Sequence, residues 1–306
     1  MLAISVPPVT PATALAAGAV LALTVGNPVP KLSASAAGLL LQAAVVGLGF
    51  GMPLTAVIAA GRSGVGYTVA GVATAIILGL LLGRWLKVDG QTSVLITAGT
   101  SICGGSAIAA VGPAIGARAE AMGVSLATVF VLNAVALYLF PAIGHWLHLS
   151  QHQFAIWAAV AIHDTSSVVG AAAGYGPVAL EQATVLKLAR ALWILPMTLV
   201  AAAVARRRDP LRSGSSRLPT PWFIGLFVLA ALARSILPAT AAPALDAAAH
   251  AARWMLVLTL FLIGAGLTRA TLRSVGTRPL VQGLILWIAV GSLSLLVVWR
   301  WVGQGW

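Results

Sequence analysis

The chain has 306 residues, 60% of them hydrophobic and 8% charged, with a mean hydropathy of +1.00. Soluble domains carry about 25% charged residues, so this composition excludes a water-soluble globular domain and predicts an all-α polytopic membrane protein. The net charge of +12 arises from 18 Lys and Arg against 6 Asp and Glu. These basic residues lie mostly between apolar runs, which is the positive-inside pattern and not a nucleic-acid surface.

The apolar runs continue over helix-spanning lengths, whereas a β-barrel shows short alternating strands. Cys103 is the single cysteine, so no intrachain disulfide or cysteine-based metal site is expected. The first twenty residues lack a basic n-region and do not read as a cleaved signal peptide. No lipidation motif is found.

At roughly 20 apolar residues per crossing, about ten spans are expected. They fall at 12–25, 34–52, 66–85, from 93 through the segment ending at Ala117, 123–147, 153–175, 181–205, 221–237, 253–267 and 279–302. The whole chain reads as one transmembrane domain, 1–306, with a basic loop over 206–220. That loop holds Arg206, Arg207, Arg208, Arg212 and Arg217 against the single acid Asp209, which places it in the cytoplasm. Alternating spans from there puts Lys31, Arg84, Lys87, Arg269, Arg273 and Arg278 inside as well. Arg62, Arg118, Glu120, Arg234, Asp246, Arg253 and Arg300 fall outside, with both termini. Tryptophans near span ends, such as Trp85, Trp146, Trp222, Trp254, Trp301 and Trp306, read as interfacial anchors.

Gly49-Phe50-Gly51-Met52 ends the second span, with Gly61 ten residues after Gly51. Gly264-Ala265-Gly266-Leu267 ends the ninth, with Gly276 ten residues after Gly266. The two copies lie in spans of opposite direction, as an inverted repeat requires; close helix packing through small residues is the alternative.

Three stretches carry chemistry. Thr97 to Ala117 contains Gly99, Gly104, Gly105, Gly112, Gly116 and Pro113. So many breakers predict unwound backbone, which survives at membrane depth only where protein or a water-filled cavity satisfies it. Freed amides there, with Thr100, Ser101 and Ser106, suit an anion; a glycine-rich packing helix is the alternative. Ala161 to Gly176 opens with His163 and Asp164, followed by Thr165, Ser166 and Ser167. A charge at that depth must be paired, hydrated or facing a cavity. Asp164 suits a helix N-cap and a coupling-ion ligand, and His163 suits proton coupling or a packing role. Lys187 and Arg190 stand three apart and share a helix face near the bilayer middle. Asp164 and Glu181 are the candidate partners; a cation left unpaired would attract an anionic substrate. His145, His148 and His152 read as a wet interface and not a metal site. No nucleotide-binding, Gly-x-Ser-x-Gly or His-Glu-x-x-His motif is present, so neither an enzyme nor direct ATP coupling is expected.

Leu41–Met52, Gly99–Pro113, Ala161–Ala172, Lys187–Pro196 and Ile263–Gly283 together resemble the YeiH family of bacterial inner-membrane proteins, of UPF0324 type, a family named for sulfate export. The resemblance covers nearly the whole chain. It implies kinship with inverted-repeat transporters of the bile-acid symporter and sodium/proton antiporter group, which have two broken, crossing helices. The resulting expectation is a secondary transporter, symporter or antiporter, of a small anion such as sulfate, a sulfonate or another oxyanion in the inner membrane. Substrate would meet Thr100, Ser101, Gly104, Gly105, Ser106, His163, Asp164, Thr165, Ser166, Ser167, Lys187 and Arg190, with Na⁺ or H⁺ at Asp164 and His163. No cofactor or nucleic acid is expected; the bilayer and a second copy in a homodimer are the expected partners. A channel and a membrane subunit of a larger complex are the alternatives.

Overall fold

The computed structural model describes residues 11–208, 222–266, 268, 269 and 276–302, and among these the regular structure is entirely helical. The helices, in order, are α1 (Pro11–Thr24), α2 (Pro30–Gly49), α3 (Leu54–Trp85), α4 (Gly90–Ser101), α5 (Gly105–Ala114), α6 (Ala119–Trp146) and α7 (Gln151–Ala161). They continue with α8 (Thr165–Tyr175), α9 (Pro177–Ala191), α10 (Ile194–Arg208), α11 (Trp222–Ile236), α12 (Ala242–Ala265) and α13 (Thr277–Trp301). Among the described residues six stretches are long and apolar enough to cross a bilayer: Pro30–Gly49, Gly66–Trp85, Ala119–Trp146, Pro177–Arg207, Ala239–Ala265 and Thr277–Arg300. Most of the expected basic loop, including Asp209, Arg212 and Arg217, lies outside the described residues, as do residues 1–10, Leu267, Arg273 and Trp306.

Element starts follow local chemistry. Pro30 and Pro177 occupy first-turn positions, where the missing N–H is no loss. Asp89 caps α4 by accepting from the Thr92 amide at 3.1 Å. Ser150 and Gln153 form a reciprocal capping box at the start of α7. The third element begins at Leu54, twelve residues before the expected 66; its first turns hold Arg62, which lowers local hydropathy without breaking the helix.

Two elements depart from the expected topology. If α4 and α5 were halves of one crossing helix, their outer ends would be some 30 Å apart at about 1.5 Å per residue. Instead the outer ends touch. Arg118 donates to Asp89 at 2.8 Å, the Arg118 amide donates to Gln91 at 3.0 Å, and Gln91 donates to the Gly116 carbonyl at 3.2 Å. α4–α5 is therefore a hairpin that returns to the end it left. α7–α8 is a second hairpin, closed at its foot by the Tyr175 hydroxyl on the Leu149 carbonyl at 2.6 Å and the Val178 amide on Gln151 at 2.9 Å. The two broken, crossing helices of the sequence reading are thus two hairpins. Since α6 joins them, they enter from opposite ends of the bundle.

This reverses α6. Arg118 and Glu120 lie at the end that carries Asp89 and the α3–α4 turn with Arg84 and Lys87, not at the opposite end. His145, His148 and His152 lie at the other end, where Gln153 donates to the Val302 carbonyl at 2.9 Å. Elsewhere the alternation holds. Asn27 meets the Ala265 carbonyl at one end, and Ser235 accepts from the Leu54 amide at the other.

α1, α2, α11 and α12 form a panel beside the hairpins. Gly18 and Gly264 let α1 and α12 touch backbone to backbone, since a Cβ on either would strike the Phe261 or Leu15 carbonyl. The panel meets the hairpins through apolar contacts, with Ala44, Leu48 and Leu256 against Val169 and Leu180, and with Val45 and Phe227 near Ile102 and Cys103.

Candidate functional site

The hairpin tips meet inside the bundle. α4 ends at Ser101, and Gly104 sits at φ +63° with a ψ of −123°, a conformation open to glycine alone. A Cβ on Gly104 would lie 3.2 Å from the Asp164 Cβ, so the missing side chain is what lets the tips approach. α7 ends at Ala161 and its chain turns extended at Ile162. Asp164 then restarts the helix, accepting from the Ser166 amide at 3.1 Å, the Ser167 amide at 3.4 Å and the Ser166 hydroxyl.

On α9, Arg190 binds both tips and Lys187 binds the second. The Arg190 Nε donates to the Ser101 carbonyl at 2.7 Å and one terminal nitrogen to the Thr100 carbonyl at 3.1 Å. Its other terminal nitrogen donates to the Ala159 carbonyl at 3.1 Å and to the Val160 carbonyl. Lys187 Nζ donates to the Ile162 carbonyl at 2.8 Å and the Ala159 carbonyl at 3.5 Å. These carbonyls end α4 and α7 and have no partner within their own helices. The partial negative charge at two helix C-termini is where a cation belongs. The fork of Arg190 spans both tips, which the point charge of a lysine would not do.

Of the two alternatives, the ion pair of these cations with Asp164 or Glu181 is not found among the described residues. Among the described residues the ion pairs are Arg118 with Asp89 and Arg234 with Asp246, both partly or largely exposed. Lys187 at 0% exposure and Arg190 at 1% are buried without a carboxylate partner. Main-chain carbonyls at half-helix ends do the work assigned to acids, and nothing in composition announces them.

The structure adds Asn133, from the middle of α6. Its Oδ1 accepts from the His163 amide at 3.1 Å and the Asp164 amide at 3.3 Å, which fixes the amide orientation. It thereby fastens the second tip to the helix between the hairpins. The sequence signal was a lone Asn in an apolar span. Its Nδ2, the Thr100 hydroxyl and both ring nitrogens of His163 are buried without a hydrogen-bond partner among the described residues.

Of the candidate residues, Thr100, Ser101, Gly104, His163, Asp164, Ser166, Ser167, Lys187 and Arg190 gather at or beside the joined tips. Asp164 is partly accessible, and Thr165 is buried in the first turn of α8. Ser101 turns its hydroxyl back to the Thr97 carbonyl at 2.6 Å and offers only its main chain. Gly105 faces the Phe130 ring, and Ser106 is exposed one residue further along α5. A cavity of about 10 Å³ lined by Arg190, Tyr67 and Thr68 reaches the cluster, room for one water molecule. Among the described residues no group of three His, Cys, Asp or Glu is placed to hold a metal ion.

Long apolar helices enclosing buried charges, with irregular backbone wrapped in protein, define a helical membrane protein. The chain belongs to the family described as conserved hypothetical protein 698, whose model matches residues 9–283. It is similar to a UPF0324 membrane protein of Bacteroides thetaiotaomicron, 49% identical over 290 residues, covering 94% of this chain and 86% of the relative. UPF0324 membrane protein Bd1437 of Bdellovibrio bacteriovorus is 49% identical, covering 94% of this chain and 89% of the relative. UPF0324 membrane protein GSU2818 of Geobacter sulfurreducens is 45% identical, covering 94% and 90%. No solved structure matches the chain.

Proposed function

We propose that this protein is a secondary active transporter of a small anion, such as sulfate, a sulfonate or a related oxyanion, in the bacterial inner membrane. The observation that carries the proposal is the pair of opposed hairpins whose tips meet around two buried cations with no carboxylate ion-pair partner among the described residues. Such broken elements near mid-depth are where transporters place substrate and coupling ion. The resemblance to a family named for sulfate export points the same way.

In this reading the chain makes eight crossings, α1, α2, α3, α6, α9 with α10, α11, α12 and α13, and two re-entrant hairpins. Arg206, Arg207, Arg84, Lys87 and Arg118 mark the cytoplasmic end. Lys187 and Arg190 set the positive potential, their donors committed to the tips. Direct contacts to the anion fall to the Thr100 hydroxyl, Asn133 Nδ2 and the His163 ring, with Asp164 as the ligand for a coupling Na⁺ or H⁺. The tip cluster is closed, so entry requires the panel and hairpins to move apart across their apolar interface, first toward one side and then the other.

The test is radiolabelled sulfate, sulfite and taurine uptake into proteoliposomes under imposed Na⁺ or pH gradients. Lys187→Ala and Arg190→Ala should abolish flux. Thr100→Val, which leaves the cation clamp and both tips in place, should lower it about tenfold or more, the worth of one hydrogen bond to an anion, and Asn133→Ala, which also unfastens the second tip, should lower it further. Unchanged flux in all four variants would refute the assignment.

A further inference from the structure

α3 and α10 leave an open, apolar groove between them, with α4 and Ile115 along its floor and a volume of about 660 Å³. Its walls are Val69, Val72, Ile76 and Leu80 of α3, and Met197 and Val204 of α10. Polar lining comes chiefly from Gln91 at the outer end, whose amide is committed to Gly116 and Arg118. From Val69 to Leu80 the groove runs about 16 Å at 1.5 Å per residue, half of a hydrocarbon core of about 30 Å. It therefore has the depth of one leaflet.

Helical spacing places a cation at the open end of each wall. The α3 stripe 69, 72, 76, 80 continues four residues on to Arg84. The α10 stripe 197, 200, 204 continues three residues on to Arg207. Both arginines are exposed, and neither has an ion-pair partner among the described residues. An apolar slot one leaflet deep, ending under two arginines, matches a molecule with a long hydrocarbon tail and an anionic head.

We propose that this groove binds an anionic phospholipid of the cytoplasmic leaflet, one acyl chain lying between α3 and α10 and the phosphate on Arg84 and Arg207. The bound chain would also lie against α4, the first half of the first hairpin. The proposal rests on the membrane orientation given above and stands apart from the anion site.

The experiment is thermal unfolding of the purified full chain in detergent, titrated with phosphatidylglycerol or, in parallel, phosphatidylethanolamine of the same acyl chains. Phosphatidylglycerol should raise the midpoint saturably and phosphatidylethanolamine should not. Arg84→Ala with Arg207→Ala should require about thirtyfold more phosphatidylglycerol for the same shift, the worth of two surface cations. Ala73→Trp fills the groove from an exposed position. It should leave the lipid-free midpoint unchanged and abolish the shift. Equal shifts from both lipids, a full response in the Ala73→Trp protein, or the same shift from inorganic phosphate would overturn the proposal. Unchanged flux in the Lys187 and Arg190 variants would refute the transport reading and leave this titration as it is, so the two readings fail separately.

Discussion

Arg190→Met removes a guanidinium that donates to four carbonyls, Thr100, Ser101, Ala159 and Val160, while keeping most of the side-chain volume. Hydrogen bonds to a charged group are each worth about 1.5–3 kcal/mol, so four give about 6 kcal/mol at the low end. Against this stands the relief of burying a charge, itself several kcal/mol. Buried carbonyls left without a donor cost about 1–3 kcal/mol each, so the net expected loss is about 3–5 kcal/mol. At about 2 °C per kcal/mol for a large chain, the unfolding midpoint in detergent should fall by about 6–10 °C. Lys187→Met, which frees the Ile162 carbonyl while the Ala159 carbonyl keeps its Arg190 donor, should cost less, about 1–2 kcal/mol. Arg190→Lys separates a clamp from a mere charge. It keeps the cation but cannot bridge both tips, so it too should lose stability with no anion present. An Arg190→Met protein that melts within about 2 °C of wild type would refute the clamp, since that is about the effect of a single kcal/mol.

Three further outcomes follow from the hairpins. In a Cys103→Ala background, a Glu120→Cys protein should react with an impermeant thiol reagent from the cytoplasmic side and a His148→Cys protein from the outside; the reverse pattern would mean that α4–α5 and α7–α8 each cross the membrane. Gly104→Ala should cost about 1–3 kcal/mol from its backbone angle, with added crowding against Asp164 at 3.2 Å, and should reduce transport because the tips no longer meet; full flux at normal stability contradicts this. At the foot of the first hairpin, partial burial pushes the Asp89 carboxyl up, but its bonds from Thr92 and the Arg118 guanidinium outweigh this and hold it below the usual carboxylate range. Its stabilisation is therefore complete above the unfolded value of about 3.9 and is lost as pH falls through the lower folded value. Asp89→Asn should remove that acid-side slope and cost no more than about 1 kcal/mol, since the pair is largely exposed; an unaltered slope in acid unfolding would show the pair is not formed.

The segmentation of the chain was legible because hydropathy is a local property. The helix ends near Gly49, Trp85, Trp146 and Arg208 lie within a few residues of where apolar runs meet Pro, Gly or basic residues. The breaks near Gly104 and Asp164 were legible for the same reason: Gly-Gly and an N-cap aspartate are local signals. Whether a broken element continues or turns back was not, because both paths have the same hydropathy. Bonds between residues some 27 to 29 apart in sequence decide it, Asp89 with Arg118 and Gln151 with Val178. The partners of Lys187 and Arg190 were not legible for a related reason. Side-chain acids are visible in a sequence, whereas carbonyls freed at the end of a half-helix become visible only once the break is placed. Asn133 looked like one polar residue in an apolar helix until its Oδ1 met two amides of the second tip.

The central claim is that a small anion binds at the joined tips. The most direct measurement is anion-dependent thermal stabilisation of the purified protein in detergent, with sulfate, sulfite, thiosulfate, taurine and bicarbonate, each with and without Na⁺. Wild type should be stabilised by at least one oxyanion, and Asn133→Ala and Thr100→Val should need about tenfold more of it, while Ala73→Trp behaves as wild type. An anion response that is absent, or that is identical in wild type and both tip variants, would contradict the central claim.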